Sequence, residues 1–172
     1  MHRNLVMLVI LLLPFTVSAT EKPAELLSAI RAKEPVGTAQ MRALFMDVNK
    51  ISFWSDSGSW QTVPYALSIT YDMNFSADEL ADRTYEEMQE VSDLPGARLK
   101  IFSDQLRVIY PAIGEGDRVT ALRKKTGTYF YHNGKRIGKI SAPSFAEAFF
   151  SIWLSPKSSE PDMQQQLLPS SN

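Results

Sequence analysis

The sequence predicts an α+β domain: a mainly antiparallel sheet with a layer of helices on one face. Three observations carry that reading. The predicted elements run strands, two helices, three strands and then one or two helices, with no βαβ alternation. The dipeptide Asn133-Gly134 joins two strand-like runs, and its readiness to adopt two positive φ values suits the type I′ turn of a local hairpin. Tyr65, Leu67, Ile69 and Tyr71 alternate with smaller residues at period two, the pattern of a half-buried strand.

The first residues stand apart from this pattern. His2 and Arg3 make a short basic start, Leu5 to Phe15 is almost wholly apolar, and Thr16 to Ala19 supplies small residues with Val17 and Ala19 spaced as a cleavage site prefers. This reads as a secretory signal peptide over residues 1–19. A membrane span needs about 20 apolar residues, and the run ends near Val17, so no transmembrane span is expected once the signal is removed. With no cysteine in the chain, the compartment expected for the exported domain is a bacterial periplasm. Residues 20–35 are read as a peripheral lead-in, 36–168 as the folded domain and 169–172 as a polar tail.

Within the domain each element has a local cause. Lys22 to Glu34 carries Ala24, Leu26, Leu27 and Ile30, enough for a short helix ended before Pro35 or for a flexible lead-in. Val36 to Trp54 is rich in Val, Phe, Met and Ile, lacks proline and reads as a strand pair or one bent strand. Ser55 to Ser59 is turn chemistry. Ser76 and Glu79 form a capping box, so a helix should start there, with Ala77, Leu80, Ala81, Thr84, Met88 and Val91 on its buried stripe and Pro95-Gly96 at its end. Leu99, Phe102, Leu106 and Ile109 make a second helical stripe stopped by Pro111. A strand from Val119 to Lys125 precedes the hairpin, in which Phe130 should face Ile137 and Tyr131 should face Arg136. Phe145, Ala148, Phe149, Ile152 and Trp153 then mark an apolar helix face before Pro156, and a short helix from Glu160 to Leu168 follows.

Composition narrows the chemistry. Eighteen basic against 19 acidic side chains give a formal net charge of −1, which does not suit a nucleic-acid surface, and no nucleic-acid partner is expected. Without cysteine there is no disulfide, thiolate metal site or cysteine nucleophile, and with His132 as the sole histidine beyond the signal no His-rich metal site can form. His132 itself is expected to be a solvated residue beside the turn. Nucleophile-elbow, P-loop and zinc-protease motifs are missing, so no catalytic residue and no cofactor or metal is assigned. The acidic run from Asp78 to Glu90 reads as macrodipole complement and solvated helix face. Arg123, Lys124, Lys125, Lys135, Arg136 and Lys139 read as charge that protects a sheet edge.

The run Gly116 to Thr120, the hairpin Tyr129 to Gly138 and above all the stretch Phe149 to Asp162 resemble the bacterial chalcone isomerase-like family. Leu67 to Tyr71 followed by Ser76 to Met88 is similar to that family's strand and capped helix, so the resemblance spans about Val36 to Leu168. It implies an open-faced sandwich with a cleft between sheet and helices. In plant chalcone isomerases that cleft closes a flavanone ring without a cofactor, and in non-catalytic relatives it holds a fatty acid. Where the plant enzymes carry a threonine on the first long strand, the matching positions here are Leu44 and Phe45, ahead of Asp47, Val48 and Asn49. The late-helix threonine falls near Ala148 to Phe150, again without a hydroxyl.

With those hydroxyls gone, the resemblance implies an exported, non-catalytic binder of an apolar or acyl small molecule. The candidate ligand residues are Leu44, Phe45, Phe102, Leu106, Phe149 and Trp153 as apolar walls, with Arg42, Tyr65 or Tyr71 for the polar head. An alternative is a cofactor-independent isomerase acting on a small phenolic or enone substrate, with Arg42 as electrophile and Tyr71 as proton donor. A third is a partner-binding module that uses the basic strands or the Ser155 to Asp162 segment, its protein partner unknown.

Overall fold

The computed structural model describes residues 21–43 and 46–169. Six strands form one antiparallel meander in the order β1 to β6: β1 (Gly37–Ala43), β2 (Met46–Ser55), β3 (Tyr65–Tyr71), β4 (Arg118–Lys124), β5 (Gly127–His132) and β6 (Lys135–Ile140). Helices α1 (Ala77–Val91) and α2 (Gly96–Ile109) lie between β3 and β4 in sequence, and α3 (Pro143–Leu154) and α4 (Pro161–Leu167) follow β6. All four pack on one face of the sheet, the arrangement expected of an α+β domain. The expected signal peptide, Leu44 and Phe45 lie outside the described residues, as do residues 170–172 of the tail.

The local signals act as their chemistry requires. Glu79 Oε2 accepts from the Ser76 amide at 2.7 Å while the Glu79 amide donates to Ser76 Oγ at 3.2 Å, which starts α1. Its buried stripe is Leu80, Ala81, Thr84, Met88 and Val91. Asn133 at φ 48° and Gly134 at φ 84° make the hairpin turn between β5 and β6. Tyr131 pairs with Arg136, but Phe130 faces Gly138 rather than Ile137, because a bulge between Phe130 and Tyr131 shifts the register. Gly138 is suited to that place: a Cβ there would stand 2.6 Å from the side chain of Ile109, where α2 ends over β6.

His132 is not simply solvated. Its Nε2 lies 3.1 Å from Asp117 Oδ2, and Asp117 also accepts from the Gly114 amide and from Asn133 Nδ2. These hydrogen bonds hold the Asp117 carboxyl down to about 2. They join the entry of β4 to the β5–β6 turn.

The reading of residues 20–35 as peripheral, and of β3 as half-buried, changes for one reason. The 3-10 turn Ala24–Leu26 and the residues after it lie on the sheet face away from the helices, where Leu26 and Ile30, fully buried, pack with Trp54, Ala66 and Leu122. The Glu25 side chain is 1% exposed, accepts from Thr120 Oγ1 and lies 3.4 Å from Arg118 Nη2. Asp56 accepts from the amides of Arg31 and Ala32, which secures the other end of the segment. The middle strands are therefore covered on both faces.

Leu26→Ala should cost about 2–5 kcal/mol of unfolding free energy, as deletion of a buried leucine side chain does. Chemical denaturation of the two proteins measures it, and a loss below about 0.5 kcal/mol, the range of neutral surface changes, would show that the lead-in does not belong to the cooperative fold.

Candidate functional site

The helix layer packs closely over only part of the sheet. Over β4 to β6 an aromatic cluster fills the space: Phe145 stacks on Phe149 with centroids 5.3 Å apart, and Phe102 and Phe130 meet Phe145 edge-on at 5.3 and 6.0 Å. Toward β3, Phe150 meets Tyr65 at 4.8 Å. The α3 helix carries three of these rings and is buried on nearly every side, because its sequence is apolar beyond a single stripe.

Over β2 to β4 the layers separate and leave a cavity of about 650 Å³, open on one side. Its floor is Ile69, Tyr71, Val119 and Ala121, and its roof comes from Leu80 and Thr84 of α1, Phe149, Ile152 and Trp153 of α3 and Met163 of α4. Met46 and Met73 stand exposed at the mouth. On one side α4 lies against β1, and at Gly37 a Cβ would come within 2.1 Å of the Gln166 carbonyl oxygen, so only glycine admits this approach.

Three of the residues singled out from the sequence line this cavity: Tyr71, Phe149 and Trp153. Tyr65, Phe102 and Leu106 lie in the packed core instead, where aromatic and helix-to-helix contacts take up their surfaces. Arg42 is exposed on β1 and its Nε bonds Asp47 Oδ1 at 2.8 Å, so its charge is neutralised at the sheet edge rather than presented to the cleft. Leu44 and Phe45 fall outside the described residues.

The cavity also holds polar groups that sequence reasoning did not single out. Tyr110, which caps α2, reaches the cleft with the Thr84 hydroxyl beside it. Thr84 Oγ1 donates to the Leu80 carbonyl at 2.7 Å. Asn49 of β2 turns its amide to the cavity, with Nδ2 donating to Met41 Sδ at 3.6 Å. The one signal that could have found Tyr110 is its place directly before Pro111, which ends α2 and turns the chain. Burial pushes the Tyr71 and Tyr110 phenols well above the usual tyrosine range, with the neighbouring Tyr110 adding to the rise at Tyr71. At neutral pH both are uncharged hydrogen-bonding groups. Among the described residues, no cluster of three His, Asp or Glu side chains is arranged to hold a metal.

A family model described as chalcone isomerase-like matches residues 55–169. Among solved structures 35 chains match. One is the crystal structure of a fatty-acid binding protein from Arabidopsis thaliana, with a TM-score of 0.60 at 8% identity, covering 78% of this chain and 86% of that one. At that identity the likeness is one of fold. No curated protein sequence matches the chain.

Alkaline titration should separate the tyrosines. Burial pushes Tyr65 up to about 12, and Tyr71 and Tyr110 move the same way, so above about 10 the unfolded chain releases phenolic protons that the folded chain retains. The stability the Tyr65 phenol contributes is complete below about 10 and is lost as pH rises through about 12, and that of Tyr71 and Tyr110, raised further, is lost at higher pH still. Tyr129, lowered by its bond to the Thr126 hydroxyl, should ionise first. Phenolate absorbance followed beside circular dichroism tests this, and a single step of all 6 tyrosines near the ordinary value with the fold intact would contradict it.

Proposed function

The chain belongs to the chalcone isomerase-like family, and from that premise we propose that it is a non-catalytic binder of an apolar or acyl molecule held between the sheet and the helices. The observation that carries the proposal is the open cavity of about 650 Å³ with apolar floor and roof. Its size falls within the ~300–1,000 Å³ of small-molecule sites, and a few placed polar groups among apolar walls are what such sites use. A neighbour of the same fold being a fatty-acid binding protein supports the same reading.

A second reading, cofactor-independent isomerisation of a phenolic or enone substrate, is favoured by the two uncharged phenols in the cleft, which could hydrogen-bond a carbonyl. Against it stands Arg42, its proposed electrophile, held by Asp47 outside the cavity lining. If that reading holds, Tyr71→Phe abolishes turnover of such a substrate. We further propose that the protein is exported, on the strength of the basic, apolar and small-residue order of residues 1–19.

Native mass spectrometry of the full-length gene product, purified from its own host without detergent, tests both binding and export. The expected spectrum shows a chain lacking residues 1–19 and carrying an extractable apolar or acyl mass. Ala121→Phe places a ring on the cavity floor and should abolish retention with the fold intact by circular dichroism. Arg42→Ala, outside the lining, should leave retention unchanged. A protein that stays empty after incubation with long-chain alcohols and acids would overturn the proposal.

A further inference from the structure

Among the described residues, the cavity is poor in positive charge at both ends. At its inner end the polar groups are Tyr71, Tyr110, Thr84 and Asn49, all uncharged at neutral pH in either orientation of the amide. Around its mouth, among the described residues, stand five carboxylates, Glu79, Asp82, Glu86, Glu87 and Glu160, against the single guanidinium of Arg83. That guanidinium is already engaged, its Nη2 lying 2.9 Å from Glu87 Oε1. The second Glu87 oxygen accepts from Ser159 Oγ at 2.8 Å, which ties α1 to the segment before α4 across the opening. Asp82 is paired with Arg107, which also serves Asp78 and Asp104. Glu79, Glu86 and Glu160 have no cationic partner among the described residues.

A carboxylate headgroup therefore meets an unfavourable field whichever way its chain enters. At the inner end it would give up water for neutral hydrogen bonds with no opposite charge, and burial of an unpaired ion is costly. At the mouth it would meet like charges beside low-dielectric walls, which focus their field. From this geometry we infer that the cleft selects a long-chain amphiphile whose polar end is uncharged or cationic and disfavours the fatty-acid anion. This rests on the reading of the cavity as a ligand site, and it goes further by naming the headgroup that the site accepts.

Competition against Nile red, an uncharged reporter, tests the inference with three ligands of equal chain length: dodecan-1-ol, dodecylamine and dodecanoate. A mildly alkaline buffer keeps the acid ionised and the amine protonated. The alcohol and the amine should compete about tenfold or more tightly than the acid, a penalty in keeping with like-charge juxtaposition. The amine-to-acid gap should narrow as salt screens the mouth, and it should shrink in Glu86→Lys and Glu160→Lys. Dodecanoate competing as tightly as the other two would overturn the headgroup inference and leave the binding site standing. An amine-to-acid gap unmoved by salt and by both lysine substitutions would also overturn it, because the preference would then not come from the carboxylates around the mouth. Failure of Nile red and all three ligands to bind would overturn the binding reading and, with it, this inference.

Discussion

The packing of α3 against the sheet is the constraint on which the rest of the molecule depends. Phe145, Phe149 and Phe150 bury three rings in one helix, and their contacts with Phe102, Phe130 and Tyr65 fix its height and position over the strands. Aromatic pairs in edge-on and offset arrangements add to the burial itself, so this cluster is the most strongly specified part of the interface. Its position also determines where the layers cannot meet. Phe149 belongs to the cluster on one side and to the cavity wall on the other, so the cleft begins where the aromatic packing stops.

The opposite face of the sheet sets a second condition. Strands β2 to β4 carry apolar residues toward both faces, which a single helix layer could not cover. Leu26 and Ile30 supply the missing cover, and Glu25 anchors it through Thr120 and Arg118. The lead-in thus braces from behind the same strands that form the cavity floor. Ala121 looks into the cleft while its neighbour Leu122 packs under the lead-in, so one strand serves both faces.

The charges follow from the fold in a similar way. Cations gather on and around the hairpin, where Lys124, Arg136 and Lys139 lie 4.8–5.5 Å from the Tyr129 ring centroid, whereas carboxylates gather on α1 beside the mouth of the cleft. A chain near neutrality overall therefore has a locally acidic entrance. The acidic run on α1 remains a solvated helix face, and its further role comes only from what it stands beside.

The start of α1, the hairpin turn and the buried stripes of α1 and α2 were open to a reader of the sequence, because capping, turn conformation and periodicity are set by residues a few places apart. Ser76 with Glu79, and Asn133 with Gly134, act within four residues of one another. The one-residue bulge at Phe130 was not, since it lies in the pairing of β5 with β6 beyond the turn dipeptide that sets the local hairpin. Tyr71, Phe149 and Trp153 could be named as apolar or phenolic candidates, but nothing local distinguishes them from Tyr65, Phe102 and Leu106, which have the same chemistry and became core. The sequence by itself determined the elements, their order and their apolar faces. Only the tertiary structure decided which of those faces meet and which stay apart, because a cavity is the space left when strands and helices distant in the chain pack around one aromatic cluster.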